Sequence, residues 1–277
     1  MQIPGTASEW EAHAGVDDLV RVAVTADELG FDHLTCAEHV AVPSGAAAGR
    51  GLAYWDPSAT LGFLAAHTSR IRLVTSVLVL GYHHPLEIAK RFGTLDVLSG
   101  GRLVLGVGVG SLAEEFELLG AAFEGRGERA DESIAALRAA LSHRQPEFEG
   151  RFFRFADFVV DPCAVQAVVP IWVGGRTRRS LRRAVTLADG WIPFGLTGAQ
   201  MADMLARFEL PPGFEVVLPN GGALDPIGDA AGTTGRLTRM RDVGATVVTC
   251  SVRAESATHF CEQLVALRSI ADDIGLQ

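Results

Sequence analysis

The stretch Ile71–Ser111, IRLVTSVLVL GYHHPLEIAKRFGTLDVLSGG RLVLGVGVGS, reads as one βαβ unit and decides the fold class. Ile71–Leu80 is a nearly continuous run of β-branched residues and leucine, the pattern of a parallel strand buried on both faces. Arg102–Gly110 is a second such run. Between them Pro85 stands near a helix start, Leu86, Ala89, Phe92, Leu95 and Leu98 recur at helical spacing, and Ser99-Gly100-Gly101 stops the helix. Gly106, Gly108 and Gly110 each weaken a strand by about 1 kcal/mol of backbone entropy relative to alanine. They therefore predict that something approaches the main chain closely at the strand's carboxyl end, the end at which α/β folds bind ligands.

The same alternation extends outward in both directions. Helix Asp17–Leu29 leads to strand Asp32–Val40, and helix Pro57–His67 leads to Ile71–Leu80. After Gly110 an excursion, 111–162, holds helix Arg129–Leu141 and the aromatic segment Arg151–Phe155, which reads as a hairpin. Then come strand Pro170–Gly174, helix Thr177–Ala188, strand Trp191–Phe194, helix Gln200–Phe208, strand Phe214–Leu218, helix Arg236–Val243, strand Ala245–Val252 and helix Ser256–Ala271. Seven βα units precede any use of Met1–Pro4, which is too short for a full first strand. Parallel pairing and right-handed crossovers then favour a single α/β domain over 1–277. We read it as a TIM (β/α)8 barrel with an insertion after strand 4 and an abbreviated first strand. Gly45–Gly51 reads as a flexible loop.

The chain has 277 residues, 48% of them hydrophobic, enough for one large buried core. A net charge of −9 argues against nucleic acid or an anionic membrane as partner and for a small molecule. Cys36, Cys163, Cys250 and Cys261 show no metal-ligand spacing and no C-x-x-C, so they read as small, mostly buried residues of a reducing compartment, and no metal site is expected. No signal-peptide pattern and no apolar run long enough to span a bilayer is visible, so a soluble, cytoplasmic protein is expected.

Glu38-His39 stands at the carboxyl end of its strand, where barrel enzymes concentrate catalytic groups. A histidine titrates near neutrality, and a neighbouring carboxylate can orient it, which suits acid/base work; the alternative is a satisfied structural histidine. Asp96 and Arg102 bracket Val97–Gly101 and read as an ion pair pinning that helix-to-strand turn. Of His83-His84 at most one is read as pocket-lining, because adjacent histidines present no metal face. Gly174-Gly175-Arg176-Thr177-Arg178-Arg179-Ser180 is a glycine turn entering a helix with Thr177 as N-cap. Arg178 and Arg179 then oppose the helix dipole by about 0.3–1 kcal/mol each unless an anion binds there. Free amides, close-approach glycines and arginines make that turn a phosphate site, with Arg182 and Arg183 on a solvated face. Gly106–Gly110 does not complete a dinucleotide fingerprint, so a nicotinamide site is disfavoured.

Ile71-Arg72-Leu73, Thr75-Ser76-Val77, His84-Pro85, Asp96–Arg102, Leu105–Gly110, Trp172-Val173-Gly174-Gly175 and Asp189-Gly190-Trp191 together resemble the bacterial luciferase-like flavin monooxygenase superfamily. The resemblance covers Asp17 to about Val252 and is most similar to the actinobacterial branch that uses the deazaflavin coenzyme F420. It implies a TIM barrel with an insertion after the fourth strand, a homodimer, and hydride transfer between F420 and a small organic substrate. It places Glu38-His39 beside the reactive face of the ring, with His39 as acid/base and Glu38 as its orienter. Ser76-Val77 matches the family's non-prolyl cis peptide behind the ring, and Gly108-Val109-Gly110-Ser111 the strand end beside it. Val173-Gly174-Gly175, continued by Arg176, Thr177, Arg178 and Arg179, matches the turn that takes the cofactor phosphate. Ser111 stands where the sugar-phosphate dehydrogenases of this superfamily carry a catalytic glutamate, and Ser44 where they carry tryptophan. The shortened first strand removes residues that line the pocket floor in the family. The rival readings are an FMN-dependent monooxygenase using oxygen and a barrel that binds cofactor without turning it over.

Overall fold

Leu73 and Val74 are adjacent and both fully buried, yet they belong to different cores. The computed structural model describes residues 10, 11, 13–44 and 54–276. Strands β1 (His33–Cys36), β2 (Arg72–Thr75), β4 (Leu103–Gly108), β7 (Ile171–Gly174), β8 (Gly190–Ile192), β9 (Glu215–Pro219) and β10 (Val247–Thr249) pair in that order, every pair parallel. The short β3 (Leu78–Val79) also pairs with β4, and β5 (Phe148–Glu149) with β6 (Arg154–Phe155) forms a separate antiparallel hairpin. Along each strand alternate side chains point to opposite faces. Val74, Val104, Trp172, Ile192 and Val217 form a smaller cluster with Val77 and Val247 on the inside of a curled sheet. Leu73, Leu103, Val173, Trp191 and Val216 face outward into the larger core shared with the helices. Burial on both faces is why these strands read as unbroken apolar runs.

The helices outside the sheet are α1 (Val16–Glu28), α2 (Pro57–Ala65), α3 (Pro85–Ser99), α4 (Ala113–Leu118), α5 (Arg126–Ala140), α6 (Arg178–Leu187), α7 (Gly198–Leu205), α8 (Ala230–Val243) and α9 (Ala257–Asp273). None among the described residues is long and apolar enough to cross a membrane. Their starts follow local chemistry: Asp56 caps α2, His84 Nδ1 accepts from Leu86 N–H at 3.2 Å ahead of Pro85, and Ser256 caps α9. Helix α8 begins at Ala230, ahead of the expected Arg236, because Asp229 caps it; two glycines and two threonines in its first turns hide it from a propensity reading. The expected insertion helix and hairpin are present as α5 and β5–β6, whereas α4 was not anticipated.

Among the described residues β1 and β10, at the two ends of the order, share no backbone ladder. Side chains bridge them. His33 Nε2 lies 3.2 Å from Thr249 Oγ1, and outside the sheet α1 meets α9 through Arg21 Nη1 donating to Thr258 Oγ1 at 3.0 Å. The expected short strand at Met1–Pro4 lies outside the described residues. At the amino ends of the strands the interior carries a polar layer. Arg72 spans to Glu215 with Nη2 to Oε1 at 2.9 Å, donates to Asp32 at 2.6 Å, and lies 5.0 Å from the Trp172 ring; Trp172 Nε1 donates to Glu215 at 2.8 Å. Gly190 makes room for that indole, since a Cβ there would meet the ring at 2.5 Å. Burial pushes the His33 imidazole below its usual range, so it is neutral, donating from Nδ1 to Asp32 and accepting from Thr249 at Nε2.

Several local expectations are corrected. The run Ile71–Leu80 is two strands, β2 and β3, interrupted at Ser76-Val77, and the expected strand Asp32–Val40 ends at Cys36, leaving Glu38 and His39 beyond it. Likewise Ala245–Val252 reduces to β10 with an isolated bridge from Val252 to Leu224. Asp96 and Arg102 do not pair. The fully buried Asp96 accepts from the backbone of Val165 and Gln166 at 2.9 and 3.0 Å, while Arg102 donates to the carbonyls of Ser99, Ala65, Thr68 and Ile71. Each staples separate backbone, which satisfies more orphan groups than one ion pair would. Of the four free cysteines only Cys36 is buried; Cys163, Cys250 and Cys261 are half-buried.

Candidate functional site

Because the sheet is parallel, the carboxyl ends of β1, β2, β4 and β7 open at one mouth. The Ser76-Val77 peptide there is cis, as the resemblance implied. It turns Val77 into the interior, between β4 and β7. A Cβ on Gly108 would come 2.6 Å from Val77 Cγ2, and one on Gly174 2.7 Å from Val77 Cγ1. A Cβ on Gly106 would fall on the carbonyl oxygen of Thr75. At Gly110, with φ +78°, it would meet Phe116 and Val79. The glycine series does mark a close approach, but the approaching groups are this chain's own β2–β3 segment and, at Gly110, Phe116 of α4. Val109 and Gly110 are half-buried past the end of β4, and Ser111 is exposed.

Glu38 and His39 do not meet each other. Successive residues of extended chain point to opposite sides, and that separates them. Glu38, 6% exposed, accepts from Val79 N–H at 2.6 Å and pairs with His83 Nε2 at 2.7 Å. Burial works against charge on His83, but the hydrogen bond it donates to Glu38, with the attraction of that carboxylate, outweighs it and raises its pKa. His39 instead bonds through Nδ1 to Glu115 Oε2 at 2.8 Å, with the Tyr54 ring edge-on at 4.6 Å between centroids. Glu115 comes from α4 in the insertion and is 1% exposed. Its other donors are Tyr82 Oη at 2.8 Å, Val40 N–H at 2.6 Å and Ala41 N–H at 3.2 Å. Burial raises the Glu115 pKa, but hydrogen bonds from His39, Tyr82, Ala41 and Val40 together hold the carboxyl below the usual range. Glu38 is therefore not the orienter of His39, and the expected pair resolves into two carboxylate–imidazole pairs. No local pattern could have found Glu115, which lies 76 residues from His39; His83, one of the two histidines noted in the sequence, is the one drawn into the site.

The turn after β7 is built as expected at its cap. Thr177 Oγ1 accepts from Ser180 N–H at 3.2 Å, and Ser180 Oγ closes a reciprocal box onto Thr177 N–H at 3.2 Å. Gly175 has φ +141°, and its missing Cβ leaves space for the Ser180 side chain. Val173 and Gly174 are buried in β7, whereas Arg176, Thr177, Arg178 and Arg179 are exposed, Arg178 lying 3.6 Å from Asp203 across to α7. The first-turn amides of Arg178 and Arg179 have no intrahelical acceptor. Arg182 is exposed, but Arg183 is not on a solvated face: it is 6% exposed, paired with Asp131 of α5 and donating to Gly127 O at 3.0 Å.

The family model described as luciferase-like monooxygenase matches residues 2–210. This chain belongs to that family. An uncharacterized protein of Mycobacterium tuberculosis is 38% identical over 144 residues, 52% of this chain and 49% of its own length. An F420-dependent glucose-6-phosphate dehydrogenase of Microbacterium testaceum is 32% identical over 183 residues, 64% of this chain and 52% of its own. This luciferase-like chain thus spans about half the length of the curated relatives it matches. Among solved structures, monooxygenase RslO1 from Streptomyces bottropensis superposes with a TM-score of 0.75 at 21% identity, covering 94% of this chain and 93% of that one. The coenzyme F420 dependent tetrahydromethanopterin reductase from Methanopyrus kandleri gives 0.74 at 16% identity, covering 91% and 94%. At these identities the likeness is one of fold, and it is the luciferase-like barrel.

Proposed function

We propose that this luciferase-like chain is an F420-dependent oxidoreductase acting on a small organic substrate. The observation that carries the reading is that a half-buried imidazole, His39, and an exposed arginine-flanked helix turn open at the same end of one parallel sheet, with the Val77 wedge between them in the strand order. Relatives named as F420-dependent support it. The deazaflavin, when bound, supplies hydride exchange with the substrate. The residues present fit such a group. Val77, half-buried and seated over the buried Gly108 and Gly174, makes an apolar floor. The turn Gly174–Thr177 and the outward amides of Arg178 and Arg179 would hold the phosphate. F420 continues beyond its phosphate into an acidic tail, whereas FMN ends there. Arg176, Arg179 and Arg182 are exposed in that region and favour the longer anion. His39 would hold or accept the substrate proton, while Glu38 acts on His83 instead. Ser111 offers no carboxylate at the mouth, which argues against sugar phosphates as substrate.

Fluorescence titration with F420 and with FMN at two ionic strengths tests this reading. Tighter F420 binding, with the preference shrinking at higher salt, is expected. Hydride exchange with a panel of small alcohols and carbonyl compounds should proceed without air. Tighter FMN binding, or turnover that appears only with oxygen, would replace this reading with that of an FMN-dependent monooxygenase.

A further inference from the structure

We propose that Glu115 is the positioning residue of His39, fixing its proton on Nδ1 and leaving Nε2 as the atom free for the substrate. The inference rests on the reading of His39 as the proton-handling group. An ionised carboxylate only accepts hydrogen bonds. Glu115 is held charged by its donors, so the 2.8 Å contact from Nδ1 requires the proton to sit on that nitrogen. In the neutral ring the lone pair is then on Nε2. Glu38 cannot compete for this role, because its two oxygens are engaged by Val79 N–H and by His83. The Tyr54 ring stands edge-on to His39 at 4.6 Å.

The carboxylate is also placed independently of the histidine. Two backbone amides, of Val40 and Ala41, hold Oε1, and the Tyr82 hydroxyl shares Oε2 with His39. The next residue, Phe116, is fully buried against Gly81 and Gly110, either of which would drive a Cβ to 2.5 Å from its ring. Helix α4 cannot slide without expelling that ring, so Glu115 stays aimed at His39. The α4 insertion segment therefore acts on the site through the imidazole.

Nitrogen-15 NMR of histidine-labelled protein reads the tautomer directly. The wild type should show His39 protonated on Nδ1 with Nε2 unprotonated at alkaline pH. In Glu115→Gln the amide oxygen can keep the Val40 and Ala41 amides while its NH2 faces Nδ1, so the proton should move to Nε2. Tyr82→Phe keeps the carboxylate and should leave the tautomer unchanged. In the alcohol and carbonyl assay Glu115→Gln should lower kcat on the order of tenfold to a hundredfold while leaving F420 affinity within a few-fold. In a His39→Asn background it should do nothing further. Nε2 protonation in the wild type, or an unchanged tautomer in Glu115→Gln, overturns the proposal whatever the activity. A switched tautomer with wild-type kcat supports the assignment of Glu115 and overturns instead the role given to His39.

Discussion

Replacing Glu215 by leucine tests whether the polar layer at the amino ends of the strands holds the barrel together. Glu215 accepts from Arg72 Nη1 at 3.1 Å and Nη2 at 2.9 Å and from Trp172 Nε1 at 2.8 Å. Trp172 is fully buried, so its N–H would lose its partner with no water to replace it, at a cost of about 1–3 kcal/mol. Arg72 is about a quarter exposed and keeps Asp32 at 2.6 Å, so the loss of its second carboxylate adds roughly 0.5–1 kcal/mol. Leucine recovers part of this by burying apolar surface, leaving a net loss of about 1–3 kcal/mol. At roughly 2–4 °C per kcal/mol for a chain of this size, Tm should fall by about 2–12 °C. Differential scanning calorimetry measures it. F420 affinity should stay at the wild-type value, since the layer lies at the end of the strands opposite the mouth. A Tm within about a degree of wild type would refute the reasoning.

Three further outcomes follow from the geometry. Gly106→Ala puts a Cβ onto the Thr75 carbonyl oxygen, backbone against backbone, and should cost more than about 4 kcal/mol, read as loss of soluble protein; Gly30→Ala, with φ +74° and open space around it, should cost only about 1 kcal/mol in urea unfolding. Arg178→Ala with Arg179→Ala should weaken F420 binding by about 1 kcal/mol per arginine and flatten its salt dependence, while FMN binding changes less. Burial raises the Asp27 pKa, but hydrogen bonds from Ile71, Ser69 and Arg70 bring it down to about 2 from an ordinary 3.8. The stability this carboxylate contributes is present above about pH 4 and is lost as pH falls toward 2, so Asp27→Asn should be less stable at neutral pH and show a shallower acid limb in pH-dependent urea midpoints.

The order of elements was legible in the amino-acid sequence because parallel strands buried on both faces write themselves as apolar runs, and capped amphipathic helices punctuate them. Thr177 as an N-cap, Pro85 at a helix start and the Ile71–Ser111 unit are all local patterns, determined by residues within one turn or one strand of each other. Element ends were less legible. Strand β1 stops at Cys36 and β10 at Thr249 because a ladder ends where its neighbour ends, and that neighbour is distant in sequence. The mouth was legible as a place, since every strand's carboxyl end follows from parallel pairing. Its partnerships were not. Glu38 and His39 are neighbours along the chain, but extended backbone turns them to opposite sides, so one finds His83 and the other Glu115. Arg183 looked solvated from its neighbours and is buried on α5. The glycines of β4 promised an approach, and only the folded chain showed that Thr75, Val77 and Phe116 make it. Residue type and spacing determine which groups can exchange protons or hold anions; which of them meet is decided by packing between segments tens of residues apart, where hydrogen-bond directions and van der Waals contact act over a few ångströms of space rather than of sequence.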